Sequence, residues 1–146
     1  MSAFGSPTEI SILNHVMGLS SFTMPSSLYC ALFTSSMGAN DLEQTTPVLT
    51  SEVSGGSYAR VDILTSPKFG STAVTNGSWV TSIANDAAID FAQATASWGT
   101  IRYVAIMSSS SGAGTVYLWG QLVQDKVIST NDTFSFAIGD LIITLD

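Results

Sequence analysis

Beyond Pro25 the chain is a succession of short apolar runs broken by turn residues, and this rhythm limits its folds more than any single motif does. Residues 27–34 are apolar at both parities, the pattern of a central strand covered on both faces. Residues 35–51 hold Gly38, Asn40, Asp41 and Pro47 with little periodicity and read as a long surface loop. The next run alternates, with Ala59, Val61 and Ile63 on one face and Arg60 and Asp62 on the other. That predicts a half-buried strand over 58–65, ended by Ser66-Pro67. Asn76-Gly77 is a strong hairpin signal. Short strands follow at 78–83 and 87–91, the second with Ile89 and Phe91 pointing inward. Strand 100–107 leads through the Ser/Gly turn 108–114 into strand 115–123. There Val116, Leu118, Gly120 and Leu122 share one face and Tyr117 and Trp119 the other. A last hairpin pairs 133–138 with 141–145 across Gly139-Asp140. Strands so closely spaced, with no helix among them, indicate a mainly-β fold: an antiparallel β-sandwich or jelly-roll-like barrel.

One helix is predicted, ahead of the strands. Ser6-Pro7-Thr8-Glu9 offers an N-cap serine, a proline at the first helical position and a glutamate at the third. The helix should run from Pro7 to about Met17 and stop at Gly18. Ile10, Leu13 and Met17 form one stripe on it, and Ile12, Val16 and Leu19 a neighbouring one, with Ser11, Asn14 and His15 in the polar sector. So wide an apolar face serves either the chain's own sheet or that sheet and a neighbour together. The expected organisation is an N-terminal helical anchor segment, 1–24, on a β-sandwich domain, 25–146, in one globular unit.

Charge narrows the function. Four basic residues (Arg60, Lys68, Arg102, Lys126) face eleven acidic ones, a net charge of −7. Nucleic acid binding needs basic clusters to replace counterions, and anionic membrane surfaces repel such a chain. Charged residues make up only 10% of the chain against 45% hydrophobic ones, a surplus that predicts a subunit interface. The N-terminus has neither the positive charge nor the apolar stretch of a signal peptide, and no run approaches the length of a membrane span, so synthesis and folding in a cytoplasm are expected. Cys30, the single cysteine, lies inside an apolar run and reads as a buried, inert thiol.

Two loops of small residues each deliver an aromatic side chain into a strand. In Glu52–Arg60, Gly55-Gly56 suits a sharp turn ahead of Tyr58; in Ala94–Ile101, Trp98-Gly99 precedes the strand. Neither loop carries a reactive group, so Gly55, Gly56, Tyr58, Arg60, Trp98 and Gly99 are assigned structural roles. In a chain so poor in cations, Arg60 and Arg102 are candidates to pair with acidic side chains on an adjacent strand or subunit.

Catalytic patterns are thin. One His and one Cys leave no zinc site, and no calcium loop of alternating acidic residues is present; Asn85-Asp86 and Asn131-Asp132 read as turns. A nucleophilic triad would have to recruit His15 from the polar face of a helix, without a Gly-x-Ser-x-Gly elbow. Asp62, Asp86 and Asp90 are the carboxylates available for glycoside hydrolysis, yet outward strand positions attract acidic residues anyway. No catalytic residue, cofactor or metal is therefore assigned. Tyr58, Trp79, Trp98, Tyr103, Tyr117 and Trp119 are the aromatics a sugar-stacking platform would use, although core or interface packing is the default for such residues.

Six segments in order give the chain a resemblance to a family of small, single-domain, tail-fibre-like virion proteins of tailed bacteriophages. They are Ile12–Gly18, Pro25–Thr34, Glu52–Arg60, Ile89–Thr100, Leu118–Leu122 and Phe134–Leu141. The resemblance implies a non-enzymatic structural component of the virion, a short fibre or whisker at the tail or neck. A capsid cement protein is the alternative position, and a carbohydrate-binding module for host surface glycans the alternative class. The implied partners are the chain itself, as a homotrimer, and other virion proteins. Ile10, Leu13, Val16, Met17, Tyr29 and Phe33 are the expected assembly contacts, with loops 35–51 and 108–114 facing outward.

Overall fold

The computed structural model of the chain describes residues 2–35, 44, 46–70, 74–76 and 80–145. Among these described residues, ten strands and one helix follow in the order β1 (Ser2–Phe4), α1 (Ser6–Val16), β2 (Tyr29–Phe33), β3 (Val61–Asp62), β4 (Val74–Asn76), β5 (Val80–Ala84), β6 (Ile89–Asp90), β7 (Gly99–Met107), β8 (Val116–Ile128), β9 (Ser135–Phe136) and β10 (Ile142–Leu145). All pair antiparallel, in a five-stranded sheet β1-β8-β7-β2-β3, a three-stranded sheet β10-β5-β4 and a two-stranded ribbon β6-β9. The fold is mainly β and sandwich-like with a single helix; among the described residues no sheet closes into a barrel.

The double-sided apolar pattern of β2 places it inside the large sheet, between β7 and β3. Cys30 and Leu32 join the main core with Ile101, Val104 and Ile106 of β7, Ile89, Phe136 and the loop residues Val53, Phe91, Trp98 and Phe134. Ala31 and Phe33 point the other way and pack with Ala105, Met107 and Val116 beneath Leu49, Tyr103 and Trp119. Because both faces are covered, neither parity of β2 is free to be polar.

The helix begins one residue earlier than its capping signals predict. Gly5 is the N-cap, Ser6 the first helical residue, and no side chain caps the end. The reason is contact with β8. A Cβ at position 5 would lie 2.1 Å from the Val116 carbonyl oxygen, so only glycine allows the helix start so close to the strand. The Gly5 N–H donates to the Tyr117 carbonyl (3.1 Å), and the Gly5 carbonyl accepts from Thr8 and Glu9 N–H. At the other end Gly18 takes φ +72, with its N–H donating to His15 O (3.1 Å) and that of Leu19 to Asn14 O (2.8 Å). This is a Schellman stop on the glycine the sequence nominates.

Three strand expectations are corrected. The strand over 58–65 shrinks to Val61–Asp62, and within the stretch Ala59 is exposed while Arg60 is buried, the reverse of the alternation. In β8 a bulge between the pairs Ile106↔Leu118 and Met107↔Val116 inserts Tyr117, so Val116 turns to the same layer as Trp119 and away from Leu118 and Leu122. The last hairpin does not form: β9 pairs with β6 and β10 with β5, although Gly139 (φ +85) does make the turn between them. Asn85 explains this division. Fully enclosed, it donates from Nδ2 to Ala87 O and Ala137 O and accepts the Leu141 N–H at Oδ1 (2.8 Å), tying the β9–β10 connection to the end of β5. β4 and β5 pair on either side of the Asn76-Gly77 signal; residues 77–79, Trp79 among them, lie outside the described residues, as does most of 36–45.

Candidate functional site

The two small-residue loops meet each other. Gly55, Gly56 and Ser57 take φ of +72, +57 and +65, a left-handed turn closed by the Tyr58 N–H donating to Gly55 O (3.0 Å). Turned outward by this conformation, the Gly56 carbonyl accepts the Trp98 indole N–H (2.9 Å) and the Thr95 N–H (3.0 Å). A Cβ on Gly56 would come within 2.9 Å of both Ala96 O and Trp98 Nε1, so this position needs glycine for space as well as for conformation. Trp98 is buried, its ring edge-on to Tyr58 at 5.5 Å, and Tyr58 stacks on Phe91 at 6.1 Å. Phe91, Phe134 and Phe136 continue the contact chain, at 5.7 and 5.1 Å, to the β6–β9 ribbon. Ser97 Oγ donates to Ile128 O and accepts the Gly99 N–H, which fixes the second loop on the end of β8.

Under this junction lies an ion pair. The Arg60 guanidinium grips Glu52 through two parallel bonds, Nε to Oε1 (2.6 Å) and Nη2 to Oε2 (2.7 Å). Its remaining donors reach Ser109 O (2.8 Å), Ser109 Oγ (3.0 Å) and Gly112 O (2.8 Å). The Arg60 side chain is 1% exposed and that of Glu52 14%. The Tyr58 hydroxyl bridges pair and sheet, accepting the Leu32 N–H (2.9 Å) and donating to Glu52 Oε1 (3.2 Å). Burial drives the Tyr58 phenol above its ordinary range; the Leu32 N–H opposes this, and the negative charge of Glu52 adds to it. Arg60 thus clamps the 52–58 loop to the serine turn 108–114, whose tip, 110–113, faces solvent, and Tyr58 extends the link to β2. Arg102 meets Asp125 (2.9 Å) and Thr34 O (2.9 Å) in the open, with 45% of each charged side chain exposed.

The groups that the sequence offers for catalysis, all among the described residues, have these surroundings. Asp62 is engaged in its own turn, accepting from the Leu64 and Thr65 N–H groups and the Thr65 hydroxyl. The hydroxyl first, then the two N–H groups, hold its carboxyl below the usual carboxylate range. Asp86 and Asp90 are exposed. His15 accepts the Phe22 N–H at Nδ1 (3.2 Å), a local contact at the end of the helix. Burial pushes the Cys30 thiol up to about 12, so it carries no thiolate at neutral pH. Among the described residues no three His, Cys, Asp or Glu side chains cluster as a metal site would require, and no helix is long and apolar enough to cross a membrane. A slot of about 210 Å³ opens between Val104, Ile106, Leu118 and Leu122 on one side and Phe136, Leu141 and Ile143 on the other. Its walls are mostly aliphatic and aromatic, with Gln121, Asp140 and Thr144 among the lining residues.

Of the aromatics nominated for stacking, those among the described residues are buried (Trp98) or half-buried (Tyr58, Tyr103, Tyr117, Trp119). Trp119 lies over the second apolar layer, its ring 6.2 Å from that of Tyr103. The open surface is elsewhere. Ile10, Leu13 and Val16 of α1 and Met17 at its C-terminal cap stand 55–72% exposed, while Thr8 and Ile12 turn inward over an apolar cavity of about 290 Å³ lined by Phe4, Phe22, Pro25, Leu28 and Leu118. Tyr29 is half-buried, and Phe33 is wholly enclosed by the chain itself.

The structure therefore joins Gly56, Tyr58, Arg60 and Trp98 into one junction, with Gly55 and Gly99 at its turns, and leaves the helix stripe apart on the surface. Sequence reasoning missed Glu52 as the partner of Arg60, Ser109 and Gly112 as its carbonyl cradle, and Asn85 as the tie between strand pairs. Glu52 opens the same nine-residue segment, and its charge was the available signal; the carbonyl acceptors and Asn85 carry none. No individual curated protein shows significant similarity to the chain. A family model described as "Podophage GP4 fiber I protein gp80" matches residues 3–144. The match runs through the loop junction, the β7–β8 pair and the closing strands alike. The chain accordingly belongs to this podophage fibre-protein family and is a structural component of a phage particle.

Proposed function

We propose that the chain is a short fibre-like or whisker-like accessory protein, assembling as a homo-oligomer, a trimer in the simplest arrangement, on the tail or neck of the particle. The observation that carries this reading is the family match from residue 3 to residue 144. The site agrees with it. Its buried charge pair and its glycine-dependent turn hold loops in place, Asp62 is occupied in a turn, and Asp86 and Asp90 are exposed. A β-body whose loops are tied together by hydrogen bonds from the buried Arg60 and Trp98 side chains suits a part that bears load and presents surface. Exposed aliphatic side chains on a chain with few charges favour contact with further protein subunits. The test is copy number in purified particles, by quantitative mass spectrometry against the major capsid protein. A few to a few tens of copies per particle is the expected result. A ratio near one copy per capsid subunit would instead make it a cement protein of the shell.

A further inference from the structure

We propose that the outward stripe of α1 packs against the same stripe of a second copy of this chain. This rests on the homo-oligomer reading above and gives it a surface. Ile10, Leu13 and Met17 recur at spacings of three and four, the arrangement that keeps one seam facing another helix lying nearly parallel. The structure turns this seam away from the body: Thr8 is buried and Ile12 half-buried on the opposite side, while Ile10, Leu13 and Met17 are 55%, 63% and 71% exposed. An 11-residue helix is too short to persist alone, but this one is held by β1, by the close approach of Gly5 to β8 and by the Gly18 stop. The seam is thus presented ready-formed.

Charge and area select the occupant. With a net charge of −7, copies of the chain repel one another over most approaches, and a stripe without a charged residue is where they meet at least cost. Glu9 stands beside the stripe, and α1 has no Lys or Arg to attract an anionic lipid surface. With Val16 and the adjoining Leu19, the seam leaves on the order of 600 Å² of apolar surface open on each copy, approaching the ~800 Å² per partner of a stable interface. The area suits a chain-to-chain contact supplemented by neighbouring body surface.

The test uses the full-length chain. Cys30 is fully buried, so Leu13→Cys supplies its one accessible thiol, and Val127→Cys, at an equally open apolar position on β8, is the control. Mild oxidation should link Leu13→Cys copies into covalent pairs and leave the Val127→Cys control largely unlinked. The Leu13→Asp/Met17→Asp double variant should keep its far-ultraviolet circular dichroism and show self-association weakened at least about tenfold by sedimentation equilibrium, since an unpaired charge would have to be buried. If the native chain is oligomeric while Leu13→Cys stays unlinked and the double variant stays assembled, the seam is overturned and the homo-oligomer survives. A native chain that is monomeric at every concentration overturns both. Linkage of Leu13→Cys to a different virion protein in assembled particles, without linkage between copies, overturns the second copy as occupant.

Discussion

Arg60 and Arg102 each meet one carboxylate, yet their surroundings make them different kinds of bond. Arg60 is enclosed, its fork matched to Glu52 and its other donors spent on Ser109 and Gly112. Replacing it with Met leaves Glu52 nearly buried without a counter-charge, which costs about 3–5 kcal/mol. Arg102→Met removes a pair that water already screens, worth about 0–1 kcal/mol. Urea unfolding of the two variants should therefore separate them by several kcal/mol, and equal losses would show that burial is not what gives the Arg60 pair its weight. Tyr58→Phe tests the next link. It strips the Leu32 N–H of its acceptor and Glu52 of a donor, for an expected loss of about 1–3 kcal/mol without change of fold. Sequence alone nominated both arginines for pairing but not their rank. A cation's burial depends on which loops fold over it, and the serine turn that covers Arg60 lies some fifty residues away.

At the scale of elements, Gly55 and Gly56 allow a matched comparison. Both have positive φ, but a Cβ on Gly55 meets nothing within 4 Å, while one on Gly56 meets Ala96 O and Trp98 Nε1 at 2.9 Å. Gly55→Ala should cost only the left-handed backbone term, about 1–2 kcal/mol. Gly56→Ala adds a clash with backbone and breaks the Trp98–Gly56 bond, so its thermal midpoint should fall further, and Trp98 fluorescence should shift with it. Similar midpoints for the two would mean the loops do not bear on each other as the geometry requires. The same elements show where pattern succeeds. The double-sided β2, the Gly18 stop and the inward Ile89 and Phe91 were all legible, because burial there follows local periodicity. The Ser6 cap, the parity of Val116 and the last hairpin were not. Each is decided by a distant partner: β8 against Gly5, a bulge on β8 facing β7, and Asn85 against the turn after β9. The helix stripe falls between the two cases. Its width was visible in sequence, but which side faces the body depends on Thr8 and Ile12 lying over the large sheet.

For the whole molecule, the buried Cys30 and the half-buried Tyr58 tie stability to alkaline pH. Both have folded-state pKa values raised by burial, Cys30 from 9.0 to about 12 and Tyr58 above its ordinary 10.0. A raised value means that the unfolded chain gives up its proton first. The stability each group contributes is complete below its unfolded pKa and is lost as pH rises through the folded one. The loss should begin near pH 9 with Cys30, steepen above pH 10 as Tyr58 joins, and for Cys30 end at about 12. Each group adds a slope of about 1.4 kcal/mol per pH unit while only its unfolded form is ionised. Self-repulsion of a chain already at −7 falls in the same range, but salt weakens repulsion between exposed charges far more than it alters two neutral groups shielded by the fold. Urea midpoints measured from pH 7 to 12 at low and high salt divide the two causes. The salt-independent part of the decline should start about one pH unit later in Cys30→Ala and lose its steeper upper limb in Tyr58→Phe. A decline that high salt abolishes would assign the alkaline limit to surface charge, and the thiol and phenol would then have no part in it.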